Sequence, residues 1–400
     1  MVVAPEGSLA GATMDFTPDE DHAAIASAVE RICADFDDAY WSACDQEHRF
    51  PWDFYAAMAK GGWLGIAIPE AYGGGGQGIA EAALVLNRVA ASGAAMNGSS
   101  ALHLTMFGLN PVVKFGNDRL KETFLPRAAA GDLHVAFGVT EPDAGTDTSR
   151  ITTRADEDGS GGWVINGRKI WTSKALESEV VLLLARTDRD ESNGLNGLTL
   201  FLADLDPRYC DIRPIPKLGR NAVASCEVAY DGLPVEGWRM VGERGRGFTH
   251  LLHGLNPERI LLAAMACGIG EAALRRAVRY ATERVVFDRP IGANQAISHP
   301  LAQAHMQLRA AYLMAQLAAW KYDHGMSCGE EANTAKYLAA EASFFAADRA
   351  VQTHGGLGYA VEYHVERYWR EARLQRIAPV SQEMGCNYIA HNVLKLPRSY

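Results

Sequence analysis

Few residues of this sequence stand in the patterns that common catalytic chemistries need. Gly355-Gly-Leu-Gly358 follows a predicted helix and not a strand, which argues against a Rossmann dinucleotide fingerprint. The glycines at 73–76 lack the Lys-Ser/Thr pair of a phosphate-binding loop, and no Gly-x-Ser-x-Gly nucleophile elbow occurs. His299 and His305 are six residues apart, so they do not share a helical face as metal ligands. Any catalytic activity must therefore come from another group of residues, and no metal site is expected.

The composition narrows the function classes. The 400 residues are enough for two or three domain cores, and 48% hydrophobic with 22% charged residues is typical of globular proteins. The formal net charge of −10 argues against a general nucleic-acid binder, which needs a basic face. The seven cysteines show no metal-ligand spacing. With no signal or transit segment, they favour a reduced, cytoplasmic location. No apolar run approaches the roughly 18 residues of a membrane span.

Three zones of different periodicity would position the functional residues. Residues 1–13 are small and weakly polar and predict a loose tail. Apolar residues three and four apart predict a helical domain over 14–133. Alternating runs separated by turn residues predict an antiparallel β-domain, a small barrel or sandwich, over 134–240. Long amphipathic stretches predict a helical bundle over 241–400.

Individual elements follow from the same patterns. Asn166-Gly167 stands between two alternating runs and predicts a hairpin turn. Gly355-Gly356 predicts the end of a helix. The other predicted strands are 180–185, 198–203 and 226–230, and the predicted long helices are 259–282, 300–324 and 331–353.

Four motifs, in order, resemble those of the acyl-CoA dehydrogenase family. The first two are Phe137-Gly-Val-Thr-Glu-Pro-Asp-Ala-Gly-Thr-Asp147 and Ile165-Asn-Gly-Arg-Lys-Ile-Trp-Thr-Ser173. The third is Arg284-Val-Val-Phe287 with Pro290-Ile-Gly and Gln295 after it. The fourth is Gln352-Thr-His-Gly-Gly-Leu-Gly358 with Glu366-Arg-Tyr-Trp-Arg-Glu-Ala-Arg373 after it. The resemblance runs from near Met14 to the C-terminus. It implies an α+β fold: an N-terminal helical domain, a central antiparallel β-barrel domain and a C-terminal four-helix bundle.

The resemblance also implies FAD as the cofactor. The Thr140 hydroxyl would bond the flavin pyrimidine edge, Trp171 would cover the ring, and Ser173 stands where the family usually has the Thr that bonds N5. Two alternatives without a role in FAD binding stay open. Trp171 could instead be part of the strand core, and Arg284 could be a solvated cation at a helix end. The implied FAD contacts are Phe137, Val139, Thr140, Thr146, Trp171, Ser173 and Ser381, and, across a dimer, Arg284, Phe287, Gln295, Gln352, Gly355 and Gly356. A site shared between subunits implies a homodimer or homotetramer.

The catalytic base is where this sequence departs from most of the family. Pro379 occupies the position of the usual catalytic Glu, and it also lacks the backbone N–H that helps to polarise the thioester carbonyl. Family members of the isovaleryl and long-chain types place the Glu on a bundle helix instead. Glu258 in Leu255-Asn-Pro-Glu-Arg259 matches that position, although Asn-Pro-Glu is also typical of a helix start. Asn256, Arg259 and Thr146 would then contact the acyl-CoA.

The implied reaction is FAD-dependent α,β-dehydrogenation of an acyl-CoA to trans-2-enoyl-CoA, a part of fatty acid metabolism. Electrons would pass to an electron-transfer flavoprotein. Two alternatives stay open: a non-oxidising acyl-CoA enzyme on the same fold, desulfinase-like or eliminating, and an inactive FAD- or CoA-binding partner subunit. The sequence does not fix acyl-chain length or branching.

Overall fold

The computed structural model describes residues 20–189 and 193–398 of the chain. The tail expected over 1–13 lies outside these residues. The N-terminal helices are α1 (Glu20–Ala34), α2 (Asp38–Gln46), α3 (Trp52–Lys60), α4 (Ile79–Val89), α5 (Ala95–Phe107), α6 (Asn110–Phe115) and α7 (Asp118–Ala130). The strands of the main sheet are β1 (Val135–Gly138), β2 (Arg154–Glu157), β3 (Trp163–Ser173), β4 (Val180–Arg186), β5 (Leu198–Asp204), β6 (Cys210–Pro214), β7 (Ser225–Val235) and β8 (Met240–Val241).

The C-terminal part returns to helices. They are α8 (Gly247–His253), α9 (Leu255–Glu283), α10 (Gln295–Asp323), α11 (Gly329–His354), α12 (Val365–Leu374) and α13 (Gln382–Tyr388), with the hairpin β9 (Val285–Val286) and β10 (Arg289–Pro290) between α9 and α10. The predicted order of helical, β and helical zones is confirmed. The predicted strands and long helices are found with their ends shifted by a few residues.

The main sheet is open, so the expected closed barrel is wrong. The strand order is β6-β7-β3-β2-β4-β5-β8, and β1 pairs with β4 in parallel, so the sheet is not wholly antiparallel. Among the described residues the end strands β6 and β8 do not pair with each other. The sheet is instead buried on both faces: Leu182 and Leu200 pack into one apolar cluster, and Leu183 and Phe201 into another. Each face therefore has its own core, and no enclosed interior is needed.

Asn166-Gly167 does not form the predicted hairpin turn. Strand β3 runs through both residues, with a register shift against β7 between Ile165 and Gly167. Gly167 has a φ of 150°, and a Cβ on it would lie 2.5 Å from Thr153 Oγ1. The glycine is thus needed for a bulge and a close backbone approach, the other common use of glycine in strands. Asn166 Oδ1 accepts a hydrogen bond from the Gly232 N–H.

Contacts divide the chain into two compact units. The first comprises the described residues within 1–42, 78–99 and 256–400, and the second those within 43–77 and 100–255. Small residues let the helices of the first unit approach closely. A Cβ on Gly268 of α9 would lie 2.5 Å from the Asn87 carbonyl oxygen on α4, and one on Gly270 would lie 2.5 Å from Leu308 on α10. Helix α9 is thus packed on two sides and positions the residues at its first turn.

One described stretch, Ile79–Phe115, is long and apolar enough by length and composition to cross a membrane. This differs from the sequence expectation that no apolar run approaches such a length. Within its most apolar window 72% is buried inside the protein. A core helix of a globular protein has the same composition, because all of its faces meet apolar neighbours.

Candidate active site

A buried ion pair joins the first two family-like motifs in the second unit. Lys169 of β3 is fully buried, and its Nζ lies 2.9 Å from Glu141 Oε1. The same ammonium donates to the Val139 carbonyl oxygen at 2.9 Å. One residue further along β3, the Ile170 N–H donates to the Thr140 carbonyl oxygen at 2.9 Å. The segment Val139–Thr140 is thereby held beside the strand that carries Trp171.

The Glu141 carboxylate also holds the loop that returns to β2. It accepts hydrogen bonds from the Thr152 N–H and hydroxyl and from the Thr153 N–H, all within 2.9 Å. Burial alone would raise the pKa of Glu141, but the Lys169 charge and these donors outweigh it and lower that pKa to about 2. Burial lowers the pKa of Lys169 to about 8 against the attraction of Glu141, so both groups are charged at pH 7. Sequence reasoning gave neither residue a role, although both stand in quoted motifs.

We expect this pair to make stability depend on pH in the acid range. The pKa of Glu141 is about 2 in the folded protein against 4.5 for the ordinary group, so its contribution is complete above about pH 4.5 and is lost as pH falls towards 2. The free energy of unfolding should fall by roughly 3 kcal/mol over this range. The melting temperatures of the wild type and Glu141→Gln should therefore converge as pH falls from 5 to 2.5. Asp211→Asn, in an exposed ion pair with Arg213, is the control. If the difference in melting temperature between wild type and Glu141→Gln stayed constant with pH, the lowered pKa of Glu141 would be contradicted.

Trp171 projects from the sheet in an unusual conformation. The residue is 53% exposed, its φ is 62°, and it lies at a second register shift between β3 and β7. A left-handed conformation is costly for a bulky residue, and it is found here on a large apolar side chain that faces outwards. This excludes the strand-core interpretation of Trp171. The neighbouring candidates Phe137, Val139, Thr140 and Ser173 are half-buried, whereas Thr146 is exposed on the loop.

The residue after Ser173 anchors this end of β3. Lys174 is fully buried, and its ammonium donates to Thr105 Oγ1 at 2.8 Å and to the Ala101 carbonyl oxygen at 3.2 Å. It also lies 4.8 Å from the centre of the Tyr55 ring. Burial lowers the pKa of Lys174 to about 7. The sequence pattern did not distinguish this lysine from a solvated one.

In the first unit, Glu258 lies in the first turn of α9 together with Asn256 and Arg259. The helix begins at Leu255, so Asn256 lies within the first turn and is not the N-cap that the helix-start alternative would require. Asn256 Oδ1 instead accepts a hydrogen bond from Arg259 Nη1 at 3.2 Å. Glu258 is half-buried and interacts electrostatically with the partly buried Arg259 guanidinium. This first turn therefore presents a carboxylate supported by a cation.

Arg259 and Ser381 line the same small cavity. Its other walls are Asn333, Lys336 and Tyr337 of α11 with Val380, Gln382 and Gly385. Lys336 is 5% exposed and donates to the Gln375 carbonyl oxygen. Burial, together with the Arg259 charge, lowers the pKa of Lys336 to about 8, and Glu258 opposes that shift. Lys336 is thus a second cation near Glu258 that the sequence did not reveal, because it reads as an ordinary helix lysine.

The segment around Pro379 leads into the start of helix α13. The Ala378–Pro379 peptide bond is cis. Ser381 is the N-cap of α13, and its hydroxyl accepts from the Met384 N–H at 3.4 Å. The Ser381 hydroxyl, a candidate cofactor contact, therefore already serves the helix start in this structure.

The remaining candidates lie at the other end of α9. Arg284 follows the helix, and Phe287 at the tip of the β9–β10 hairpin is 94% exposed with a φ of 52°. His354 at the end of α11 stacks on Tyr280 of α9 at 4.3 Å, which brings the two helix ends together. All the candidates of this region are exposed: Arg284, Phe287, Gln295, Gln352, Gly355 and Gly356.

The motif on α12 supports the fold of the first unit. The chain departs from helical geometry at Gly93, whose φ is 115°. Arg367 donates to the Gly93 and Ala94 carbonyl oxygens, and Glu371 accepts from the Met96 N–H at 2.6 Å. Both side chains are buried and replace the hydrogen bonds lost at the break. This part of the fourth motif therefore has a structural role.

Comparisons with known proteins agree with these features. The N-terminal, middle and C-terminal domains of acyl-CoA dehydrogenases match residues 19–132, 136–233 and 245–394. Acyl-CoA dehydrogenase FadE12 of Mycobacterium tuberculosis (strain ATCC 25618 / H37Rv) is 40% identical over 390 residues, covering 96% of this chain and 99% of the relative.

Solved structures give the same result. Butyryl-CoA dehydrogenase from Megasphaera elsdenii is similar with a TM-score of 0.91 and 29% identity, covering 95% of this chain and 100% of the other. A structure described as the electron transferring flavoprotein of Acidaminococcus fermentans is similar with a TM-score of 0.89 and 28% identity. The match covers 96% of this chain and 100% of the other. Because all three domain types match in order, the chain belongs to the acyl-CoA dehydrogenase family and is a FAD-dependent oxidoreductase.

Proposed function

We propose that this protein oxidises the Cα–Cβ bond of an acyl-CoA to a trans-2-enoyl-CoA, with Glu258 as the base. The observation that carries the proposal is the first turn of α9, where Glu258 stands beside Arg259 while Pro379 fills the position of the family's usual Glu. A carboxylate can remove the α-proton of a thioester when hydrogen bonds to the carbonyl oxygen stabilise the negative charge that develops there. Asn256 and Arg259, linked by a hydrogen bond, would orient the substrate.

The residues of the second unit fit a flavin. An outward-facing aromatic ring at Trp171 suits a flat apolar group, and the Thr140 hydroxyl makes no hydrogen bond among the described residues. Val139 and Phe137 would line the same surface. FAD, when bound, supplies the acceptor for the electron pair that leaves with the β-hydrogen. The chain's own residues hold the ring, exclude water from it and bond its polar edge.

The assembly belongs to the same proposal. The exposed Phe287 ring and the adjacent Arg284 suit a contact with the FAD of a neighbouring subunit, so we propose a homodimer or homotetramer. The likeness to a structure described as an electron transferring flavoprotein supports such a protein as the electron acceptor. We further propose a cytoplasmic enzyme with helical, β and helical domains over 14–133, 134–240 and 241–400.

A flavin-bleaching assay with a panel of acyl-CoAs tests the reaction. Purified protein with about one FAD per chain should lose its yellow absorbance on anaerobic addition of the right substrate. Product formation without bleaching would point to the non-oxidising alternative. Bound FAD with neither bleaching nor turnover across the panel would point to a partner subunit. The same panel identifies the acyl chain by its length and branching.

We expect Arg284→Ala to weaken FAD retention and lower the melting temperature of the holo-protein. If Arg284 serves a neighbour's FAD, then cofactor binding and assembly are linked by mass action. Arg289→Ala is the matched control, because Arg289 is an exposed arginine of the same hairpin that bonds Asn294. The two variants are compared by FAD content and size-exclusion chromatography. An Arg284→Ala protein with full FAD and unchanged melting would leave Arg284 as a solvated helix-end cation.

A further inference from the structure

The hydroxyl of Ser173 is held by an arginine from a different part of the β-domain. Arg220 Nη2 donates to Ser173 Oγ at 2.9 Å and also to Ser225 Oγ. Ser173 and Ser225 face each other in the pairing of β3 with β7. One guanidinium therefore bridges the two hydroxyls at the end of this strand pair.

The backbone around this contact is fixed. Arg220 has a φ of 57°, a conformation that non-glycine residues rarely adopt. Its carbonyl oxygen accepts from the Val223 N–H at 3.3 Å, and the Lys174 N–H donates to the Ala224 carbonyl oxygen at 2.9 Å. The loop that carries Arg220 is thus tied to the residue next to Ser173.

The direction of this hydrogen bond decides what Ser173 can do. A guanidinium has five N–H donors and no acceptor, so Ser173 Oγ must accept from Arg220. The hydroxyl proton has to point elsewhere, and among the described residues Ser173 Oγ makes no other hydrogen bond. A serine side chain can also rotate among three staggered positions, whereas the branched threonine is more restricted. Arg220 supplies the restriction that Ser173 lacks.

We propose that Arg220 is a positioning residue that fixes the Ser173 hydroxyl as a hydrogen-bond donor towards flavin N5. This inference rests on the proposed function, in which Ser173 contacts that atom. A donor at N5 favours the arrival of negative charge there, since it is aimed in advance at the position where the charge develops. Arg220 would then raise the electron affinity of the flavin without touching it.

A double-mutant cycle tests this role. Arg220→Met, Ser173→Ala and the double variant are compared by FAD absorption spectrum, flavin midpoint potential and rate of flavin reduction. We expect Arg220→Met to lower the potential and slow reduction about 10-fold, as groups that orient a functional ligand commonly do. In the Ser173→Ala background, the same substitution should change neither quantity. Arg220→Lys, which keeps a donor, should recover part of the effect. Arg213→Met removes an exposed arginine of β6 and should behave as wild type.

Two results would overturn the assignment. Equal effects of Arg220→Met in the wild-type and Ser173→Ala backgrounds would mean that Arg220 acts independently of the hydroxyl. If Arg220→Met lowered the potential or the reduction rate more than Ser173→Ala does, or if it lost FAD or failed to fold, Arg220 could not act through Ser173 alone. Failure of the proposed function is distinguishable, because wild-type protein would then lack FAD or resist bleaching by every acyl-CoA.

Discussion

Glu258→Gln is expected to bind FAD and acyl-CoA and to reduce its flavin at least ~100-fold more slowly than wild type. The amide keeps the size and hydrogen-bonding capacity of the side chain but cannot accept the α-proton, and loss of a general base costs about 10²–10⁴-fold. The measurement is anaerobic stopped-flow reduction by the substrate found in the acyl-CoA panel.

The control for this prediction is another acid at a helix start. Glu330 stands in the first turn of α11 and is exposed, so Glu330→Gln removes a similar interaction with the helix dipole, worth about 0.3–1 kcal/mol. Both variants should keep their FAD content and near-normal melting temperatures, and only Glu258→Gln should lose reduction. Near-normal reduction in Glu258→Gln would make Glu258 a helix-start residue and refute the base assignment.

Lys169→Met is expected to destabilise the protein more than Arg284→Ala or Glu258→Gln does. It leaves the Glu141 carboxylate buried without its cation, and removing one partner of a buried pair costs about 3–5 kcal/mol. Because Lys169 also bonds the Val139 carbonyl oxygen, the segment beside Trp171 should loosen as well. We expect a melting temperature lower by several degrees and weaker FAD binding, measured by differential scanning fluorimetry and by flavin content.

The double variant Lys169→Met with Glu141→Gln separates the charge from the packing. It removes both charges, so it should recover a large part of the stability lost in Lys169→Met. Arg213→Met breaks an exposed ion pair with Asp211 and should cost at most about 1 kcal/mol. If Lys169→Met melted like Arg213→Met, the buried pair would not be what holds the two motifs together.

Much of the architecture follows from local patterns in the sequence. Helices α9, α10 and α11 were predicted because apolar residues recur every three or four positions, and β4 and β5 because short apolar runs lie between turn residues. The four motifs indicated the family because the residues of each lie close together in the sequence. The outward position of Trp171 is consistent with the role implied for it, and Glu258 was found by matching its neighbours on one helix turn.

What the sequence left open depends on contacts between distant residues. Asn166-Gly167 reads as a turn from its own neighbours, but Thr153 makes Gly167 a close-approach position inside a strand. The barrel was wrong because closure depends on whether β6 and β8 meet, which no single strand encodes.

The same limit applies to the polar side chains around the candidate site. Lys169 reaches Glu141 across 28 positions, and Arg220 reaches Ser173 across 47. In the sequence these lysines and arginines look like solvated cations, and burial and partners distinguish them only after the chain has folded. The sequence by itself therefore determined the family, the order of elements and the identity of the candidate reacting groups. Tertiary structure decided which charges are buried and which hydrogen bonds orient those groups.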